Sequence, residues 1–255
     1  MVNASELAYE LDKYIRAQKG EEPPDLPASS AETGTTTTSN SPNSTAEVSS
    51  NSEPLEDQSE QQVADSPQQQ LDNLEQEAQG CTKCKLSENR SQVVFGEGKA
   101  TAKVMVIGEG PGAKEDQQGL PFVGPAGKLL RGLFPKLGLD EDDIYITNTV
   151  KCRPPGNRNP EQEELDACRS YLDEQVDLID PEVVLTLGNF ALRYCLGQDR
   201  SIMASRGEVY DWNGYTLIPT VHPAYVLRNS NESDKLFDDL TLVKKQLVEQ
   251  SSRKS

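Results

Sequence analysis

The sequence predicts an α/β domain: a central, mostly parallel four-stranded sheet flanked by helices, preceded by a long disordered N-terminal extension. Three observations predict it. Short apolar runs alternate with helical patterns from residue 103 onward, small or polar residues close each run, and the first 80 residues differ in composition from everything after them. Strands that alternate with helices imply a parallel sheet covered on both faces, whose strands read as continuous apolar stretches.

The extension comes first in the chain. Leu7, Leu11, Tyr14 and Ile15 fall on one helical face, with Asn3 and Ser5 as caps, which predicts a short amphipathic helix within residues 1–20. A helix this short is marginal alone, so its apolar face is read either as a frayed end or as a docking stripe for the domain or a protein partner. Residues 21–79 are mostly Ser, Thr, Asn, Gln, Glu and Pro, with almost no aromatic or β-branched apolar side chains. Such a stretch cannot bury enough surface to offset the entropy of ordering, and it predicts a disordered acidic tether. The domain is therefore expected over residues 80–250.

Charge divides at the same place. Of the net −17 carried by 255 residues, residues 1–80 hold sixteen Asp and Glu against Lys13, Arg16 and Lys19, a net of −13, which leaves −4 for the rest. The acidic total belongs to the extension and does not exclude a nucleic-acid partner, because phosphates respond to local basic groups. The N-terminus has no continuous apolar run with a basic flank, so neither a secretory signal nor a membrane span is expected, and the expected location is cytoplasmic. Five cysteines, an odd number, fit a reducing compartment and a metal site better than a disulfide framework.

Within the domain, residues 103–108, 144–148, 182–187 and 216–221 read as strands. Residues 126–137, 160–179, 190–196 and 233–249 read as helices. An Asn213-Gly214 turn before the last strand predicts a small hairpin that adds an antiparallel segment. In open α/β sheets the site forms outside the carboxyl ends of the strands. Those ends carry Gly108 to Gly112, Asn148, Gly188 and His222, so the informative residues are expected to share one crevice.

Cys81 and Cys84 form a CxxC pair, and fifteen residues separate Cys152 from Cys168. Four thiolates suit tetrahedral zinc or an iron–sulfur cluster, and spacing alone leaves both open beside a third reading, unrelated buried cysteines. Cys195, in an apolar helical stretch, reads as core. The loop Gly108-Glu-Gly-Pro-Gly-Ala113 satisfies G-x-G-x-x-A, but Pro111 removes an amide donor and no acidic strand end follows about 20 positions on, as a dinucleotide site would require. It reads as a cradle of backbone amides plus one carboxylate, Glu109, for a small polar ligand, or as a tight turn alone. His222 is the sole histidine, at a strand's carboxyl end before Pro223; structural and functional readings stand side by side.

Taken together these pieces resemble the type-4, iron–sulfur uracil-DNA glycosylase family. The residues that carry the resemblance are Cys81-Thr-Lys-Cys84, Val94-Phe-Gly-Glu-Gly98, Val106 through Asp116, Gly119-Leu-Pro-Phe-Val-Gly124 with Gly127, Ile146 through Pro155, Cys168, Leu187-Gly-Asn189 and His222-Pro-Ala-Tyr-Val-Leu-Arg228. They lie in the family's order and spacing from residue 79 to about 249. One departure is Gly110, where the family commonly has alanine; both are small, so little difference is expected.

The resemblance implies a single uracil-binding domain acting as a monomer on uracil-containing DNA, with a structural [4Fe–4S] cluster on Cys81, Cys84, Cys152 and Cys168. It implies hydrolysis of the N-glycosidic bond, with Glu109 and His222 catalytic. Glu109, Gly110, Pro111, Glu115, Phe122, Asn148 and His222 are then the uracil-binding residues: Phe122 stacks on the ring, Asn148 reads its pairing edge and His222 donates to O2. Val226 and Leu227 wedge into the duplex, and Arg228 holds a phosphate; Lys151, Arg153 and Arg158 near the cluster read either as further phosphate contacts or as exposed bases on a solvated face. One subgroup of relatives captures uracil-DNA covalently through a histidine beyond the third cysteine. Here the stretch from Arg153 to Pro160 has no histidine, so hydrolysis is the expected outcome.

Overall fold

The computed structural model describes residues 65–253, together with Lys13, Arg16, Ala17 and Glu22. Lys13, Arg16 and Ala17 are helical; the rest of the helix expected over residues 1–20, and the tether up to residue 64, lie outside the described residues.

The strands are β1 (Val104–Gly108), β2 (Ile144–Asn148), β3 (Val183–Leu187), β4 (Tyr210–Trp212) and β5 (Tyr215–Thr220). They form one sheet in the order β2-β1-β3-β5-β4. The first four of these are mutually parallel, and β4 pairs antiparallel with β5 through the expected Asn213-Gly214 hairpin. The parallel core therefore has the four strands read from sequence, and the hairpin makes a fifth. The helices are α1 (Pro67–Gln79), α2 (Ala113–Gln118), α3 (Pro125–Leu133), α4 (Gln162–Ile179), α5 (Gly188–Leu196), α6 (Ile202–Ser205), α7 (Pro223–Arg228) and α8 (Ser233–Arg253).

Alternation along β1 shows how the layers form. Val104 and Val106 join one apolar cluster with Leu129, Leu130 and Leu133 of α3 and Leu236, Leu240 and Val243 of α8. Met105 and Ile107 join the other, with Tyr171, Leu172 and Val176 of α4. Successive side chains on a strand point to opposite faces, so five consecutive buried residues require a layer on each side. The outer edge of β2 is covered by an isolated antiparallel bridge between Glu97 and Ile146, which limits its exposure to further pairing.

Helix α1 corrects one expectation. It falls in the last part of the stretch read as tether, and it is an ordered piece of the domain. Ser66 caps it by accepting from the Gln69 amide at 3.2 Å, Pro67 opens its first turn, and Leu71, Leu74 and Ala78 are buried in the same cluster as α4. Three apolar residues at helical spacing suffice here because α4 supplies the rest of the surface. The helix ends at Gly80, immediately before Cys81, so this segment of low-complexity composition aims the first cysteine.

Among the described residues, no helix is long and apolar enough to cross a membrane.

Candidate active site

The carboxyl ends of β1, β2 and β5 open into a cleft of about 1150 Å³. Glu109, Gly110, Pro111, Glu115, Phe122, Asn148 and His222 all line it, as does Arg228 at its rim. The structure therefore brings together every residue that the sequence assigned to base binding.

Backbone register explains the convergence. Gly108 at the end of β1 pairs with Asn148 at the end of β2. A Cβ built at Gly108 would meet Asn148 Oδ1 at 2.4 Å and Phe122 Cζ at 2.6 Å, so the missing side chain lets the amide and the ring approach. The loop after β1 is then fastened to the segment after β2: Thr149 Oγ1 donates to the Glu109 carbonyl at 2.5 Å, as does the Val150 amide at 3.3 Å. At Gly110 a Cβ would lie 2.8 Å from Val150 Cγ2. Alanine there is therefore not a neutral exchange, because stiff Val150 must move.

Phe122 sits in the left-handed region, φ 53°, which a bulky residue adopts only when its surroundings impose it. Three groups do so. Arg131 donates from Nε to the Phe122 carbonyl at 3.2 Å and from Nη2 to the Pro121 carbonyl at 2.9 Å, and it is held in turn by Glu97. Gly127 allows the approach, since a Cβ there would lie 1.8 Å from the Phe122 oxygen. Glu115 Oε1 accepts from the amides of Val123 at 3.0 Å and Gly124 at 2.7 Å. Arg131 was not among the sequence-derived candidates, although its place one turn after Gly127 on α3 was a usable signal.

Asn148 is buried (1% exposed), yet its Oδ1 has no hydrogen-bond partner. His222 follows β5 and caps α7. Its Nδ1 accepts from the Ala224 amide at 3.1 Å, and its ring stacks on Phe122 with centroids 5.8 Å apart and planes 29° from parallel. Burial, helped by the positive charge of Arg228, holds its pKa down at about 4, so the ring is neutral at physiological pH. With Nδ1 accepting, the proton of the neutral ring is on Nε2. Burial raises the Glu109 carboxyl above the usual carboxylate range. Glu109 and His222 also border a second cleft of about 770 Å³, lined by Gly188, Met203 and Tyr225.

Several basic and apolar candidates are placed differently from their assignment. Val226 is completely buried among the α3 and α8 side chains and cannot wedge into a duplex, while Leu227 packs partly buried against the same cluster. Adjacent residues on a helix point about 100° apart, which is why the pair divides. Lys151 is buried and cannot meet a phosphate. Arg158 is forked onto the buried carboxylate of Glu164, at 2.9 and 2.6 Å, and Arg153 donates to Asn157 Oδ1 at 2.7 Å. Arg228 remains exposed.

A separate cavity is lined by Cys81, Cys84, Cys152 and Cys168 but not by Cys195. Arg90 Nη1 donates to Cys152 Sγ at 3.2 Å and the Lys151 amide donates to Cys168 Sγ at 3.3 Å. Burial pushes the Cys152 thiol up to about 11 and also raises Cys168. Among the described residues, no group of three or more His, Cys, Asp or Glu side chains is drawn together to hold a single metal ion.

The chain resembles known proteins over this whole region. The family model described as the uracil DNA glycosylase superfamily matches residues 95–242, which include the cleft and Cys152 and Cys168. The chain belongs to the uracil-DNA glycosylase superfamily. Within it, the type-4 uracil-DNA glycosylase of Thermotoga maritima is 48% identical over 155 residues, 60% of this chain and 81% of that protein. Those of Saccharolobus solfataricus and Sulfurisphaera tokodaii are 45% and 43% identical over 186 and 183 residues, covering 69% and 68% of this chain and 86% and 83% of theirs.

Proposed function

We propose that the protein is a type-4 uracil-DNA glycosylase, which removes uracil from DNA by hydrolysing the bond between base and sugar, leaving an abasic site for base excision repair. The observation that carries the reading is the buried, unpartnered Oδ1 of Asn148 in a cleft whose other walls are an aromatic ring, two carboxylates and a neutral imidazole. A buried acceptor without a donor costs roughly 1–3 kcal/mol. A uracil in the cleft supplies the donor, N3–H, while its O4 accepts from the Asn148 amide nitrogen. Cytosine has no N3–H and carries an amino group in place of O4, so it mismatches both atoms.

A base stacked inside a duplex is out of reach, so the nucleotide must be flipped into the cleft. Phe122, held in one conformation by Arg131, Gly127 and the loop braced by Glu115, offers a ring face for stacking. As the N1–C1′ bond breaks, the electron pair stays with uracil and charge grows on O2. Neutral His222, with its proton on Nε2, is the donor aimed at that oxygen, and such a donor is worth about 3–4 kcal/mol. The sugar left behind is oxocarbenium-like. The Glu109 carboxylate stabilises it, orients the water whose oxygen bonds to C1′ and accepts the proton that water loses, while the departing uracil anion is neutralised by a proton from solvent. Arg228 holds a backbone phosphate at the rim, and Leu227 alone remains as the wedge.

The cysteine cavity fits a [4Fe–4S] cluster. Four thiols from three separate segments line one cavity, and two of the sulfurs receive N–H donors suited to thiolates. Cys81, Cys84, Cys152 and Cys168 would hold the cluster, whose contribution when bound is to organise these segments rather than to carry electrons. Such a site suits the reducing cytoplasm.

Purified full-length protein is expected to release uracil from a labelled uracil-containing oligonucleotide, to leave the cytosine-containing control intact, and to absorb at about 400 nm with matching iron and sulfide. Absence of uracil release overturns the glycosylase reading. Colourless protein holding stoichiometric zinc after anaerobic preparation overturns the cluster.

A further inference from the structure

The segment that joins the base-reading asparagine to the third cysteine contains a lysine that none of these steps uses. Lys151 is buried (2% exposed), and its side chain turns back toward the end of β2. Its Nζ donates to Thr147 Oγ1 at 2.6 Å, to the Asn148 carbonyl at 2.9 Å and to Gln175 Oε1 of α4. Among the described residues these acceptors are all neutral. Burying an ammonium group is costly unless every donor is matched, so three converging acceptors mark a position where this side chain has a defined task.

The backbone of the same residue faces the cysteine cavity. Its amide donates to Cys168 Sγ at 3.3 Å, its carbonyl accepts from the Val94 amide at 2.8 Å, and the next residue is Cys152. The main chain of Lys151 is thus tied to the cysteine site, while its Nζ grips the carbonyl of Asn148 at the end of β2. Asn148 Oδ1 has no partner of its own to fix it, so the backbone that carries the side chain must set its direction.

We propose that Lys151 is a positioning residue for uracil recognition: from a backbone anchored at the four-cysteine site, it clamps the Asn148 carbonyl and so orients the Asn148 amide toward the base. The inference rests on the reading of Asn148 as the uracil reader. It also explains why a lysine stands here rather than an apolar residue of equal length, which would fill the same space without reaching the strand end.

The test uses full-length protein prepared anaerobically and compares two affinities. One is for duplex DNA carrying a 2′-fluorinated deoxyuridine that resists cleavage; the other is for the same duplex with cytosine in its place. Lys151→Met keeps the length and removes the donors; it is expected to lower the uracil-to-cytosine preference by about tenfold while absorbance at about 400 nm is retained. Tyr145→Phe removes the hydroxyl that accepts from Gln175 Nε2, so it disturbs the same buried network without removing any acceptor of Lys151 Nζ, and it should keep the preference. An unchanged preference in Lys151→Met overturns the inference, and so does an equal loss in Tyr145→Phe, which would mark the effect as general loosening. If Lys151→Met does not fold, Thr147→Val, which strips one of the acceptors of Nζ, is expected to shift the preference by about threefold, and no shift overturns the inference. Asn148→Ala separates the two layers. Preference kept in Asn148→Ala sinks the assignment of Asn148 and the inference with it. Preference lost there but kept in Lys151→Met sinks the inference alone.

Discussion

At one end of the segment 148–152, Asn148 turns a buried acceptor with no partner into a cleft; at the other, Cys152 and Cys168 line a cavity with N–H donors already on their sulfurs. The two sites lie four residues apart along the chain and differ in what they leave unfinished. An unsatisfied buried acceptor is tolerable where a ligand comes and goes, because the cost is recovered only when the right base is bound. Donors placed on sulfur, in a cavity where burial raises the thiols, suit a group that stays and supplies the positive charge that ionises them. On the reading proposed above, the difference teaches that a base-reading group and cluster-holding groups share one segment but answer to different measurements, base preference for the first and iron content and stability for the second.

The largest expected effect tests that separation. His222→Ala is expected to lower the single-turnover rate of uracil release by about 10²–10³-fold, with little change in melting temperature. Cys152→Ser should do the reverse in order, losing iron and lowering the melting temperature by about 10 °C, while Cys195→Ser keeps both iron and stability. Iron content and thermal melts on the three variants decide this. If His222→Ala and Cys152→Ser give the same pattern, the two sites are not separable.

The pH response sharpens the same contrast. Because burial holds His222 down at about 4, the folded protein binds fewer protons than the unfolded chain between about pH 4 and pH 6.5. Stability from this residue is therefore present above about pH 6.5 and is lost as the pH falls toward 4. Relative to His222→Gln, which has no group titrating at that position, the parent protein should lose melting temperature across that window as the pH is lowered. The rate of uracil release should not climb between pH 8 and pH 6, as it would if a cationic imidazole were the donor.

Asn148→Asp is expected to cost about 10- to 100-fold in uracil excision with the fold intact, since a carboxylate cannot donate to O4. Kinetics unchanged by this substitution would place the residue outside the base-binding chemistry.

How much of this could be read from the chain depended on whether the signal was local. Strand β1 was legible because an unbroken apolar run suits a strand covered on both faces; Glu109, Asn148 and His222 were expected in one crevice because parallel strands present their carboxyl ends together, whereas Glu115 and Phe122 came from the family resemblance. Helix α1 was obscured by averaging: Leu71, Leu74 and Ala78 keep helical spacing behind Ser66 and Pro67, but polar neighbours dominated the composition. Lys151 was misread as a phosphate contact because nothing near it in sequence announces burial; one of its acceptors, Gln175, lies 24 positions away on α4. Val226 and Leu227 failed as a pair because no helix was expected at 223–228, and the helix turns one inward. The Gly110 exchange looked harmless by size, and the constraint comes from Val150, forty residues on.

The smallest expected effect concerns charge outside both sites. Residues 1–64 carry twelve Asp and Glu against Lys13, Arg16 and Lys19, a net of −9 of the chain's −17, which leaves −8 for the remainder. A tethered polyanion is expected to compete with DNA phosphates for exposed cations such as Arg228 at the rim of the cleft. The cut must fall before Asp65, because α1 aims Cys81. Protein lacking residues 1–64 is expected to bind DNA about threefold more tightly at low salt and to keep its iron and its rate at saturating substrate; the gain should fade as the screening length drops to about 8 Å near physiological ionic strength. Removing residues 1–79 also strips α1 and should cost iron as well, moving the effect from the cleft to the cavity. Identical affinities for full-length and shortened protein at low salt would show that the extension exerts no electrostatic control over the cleft.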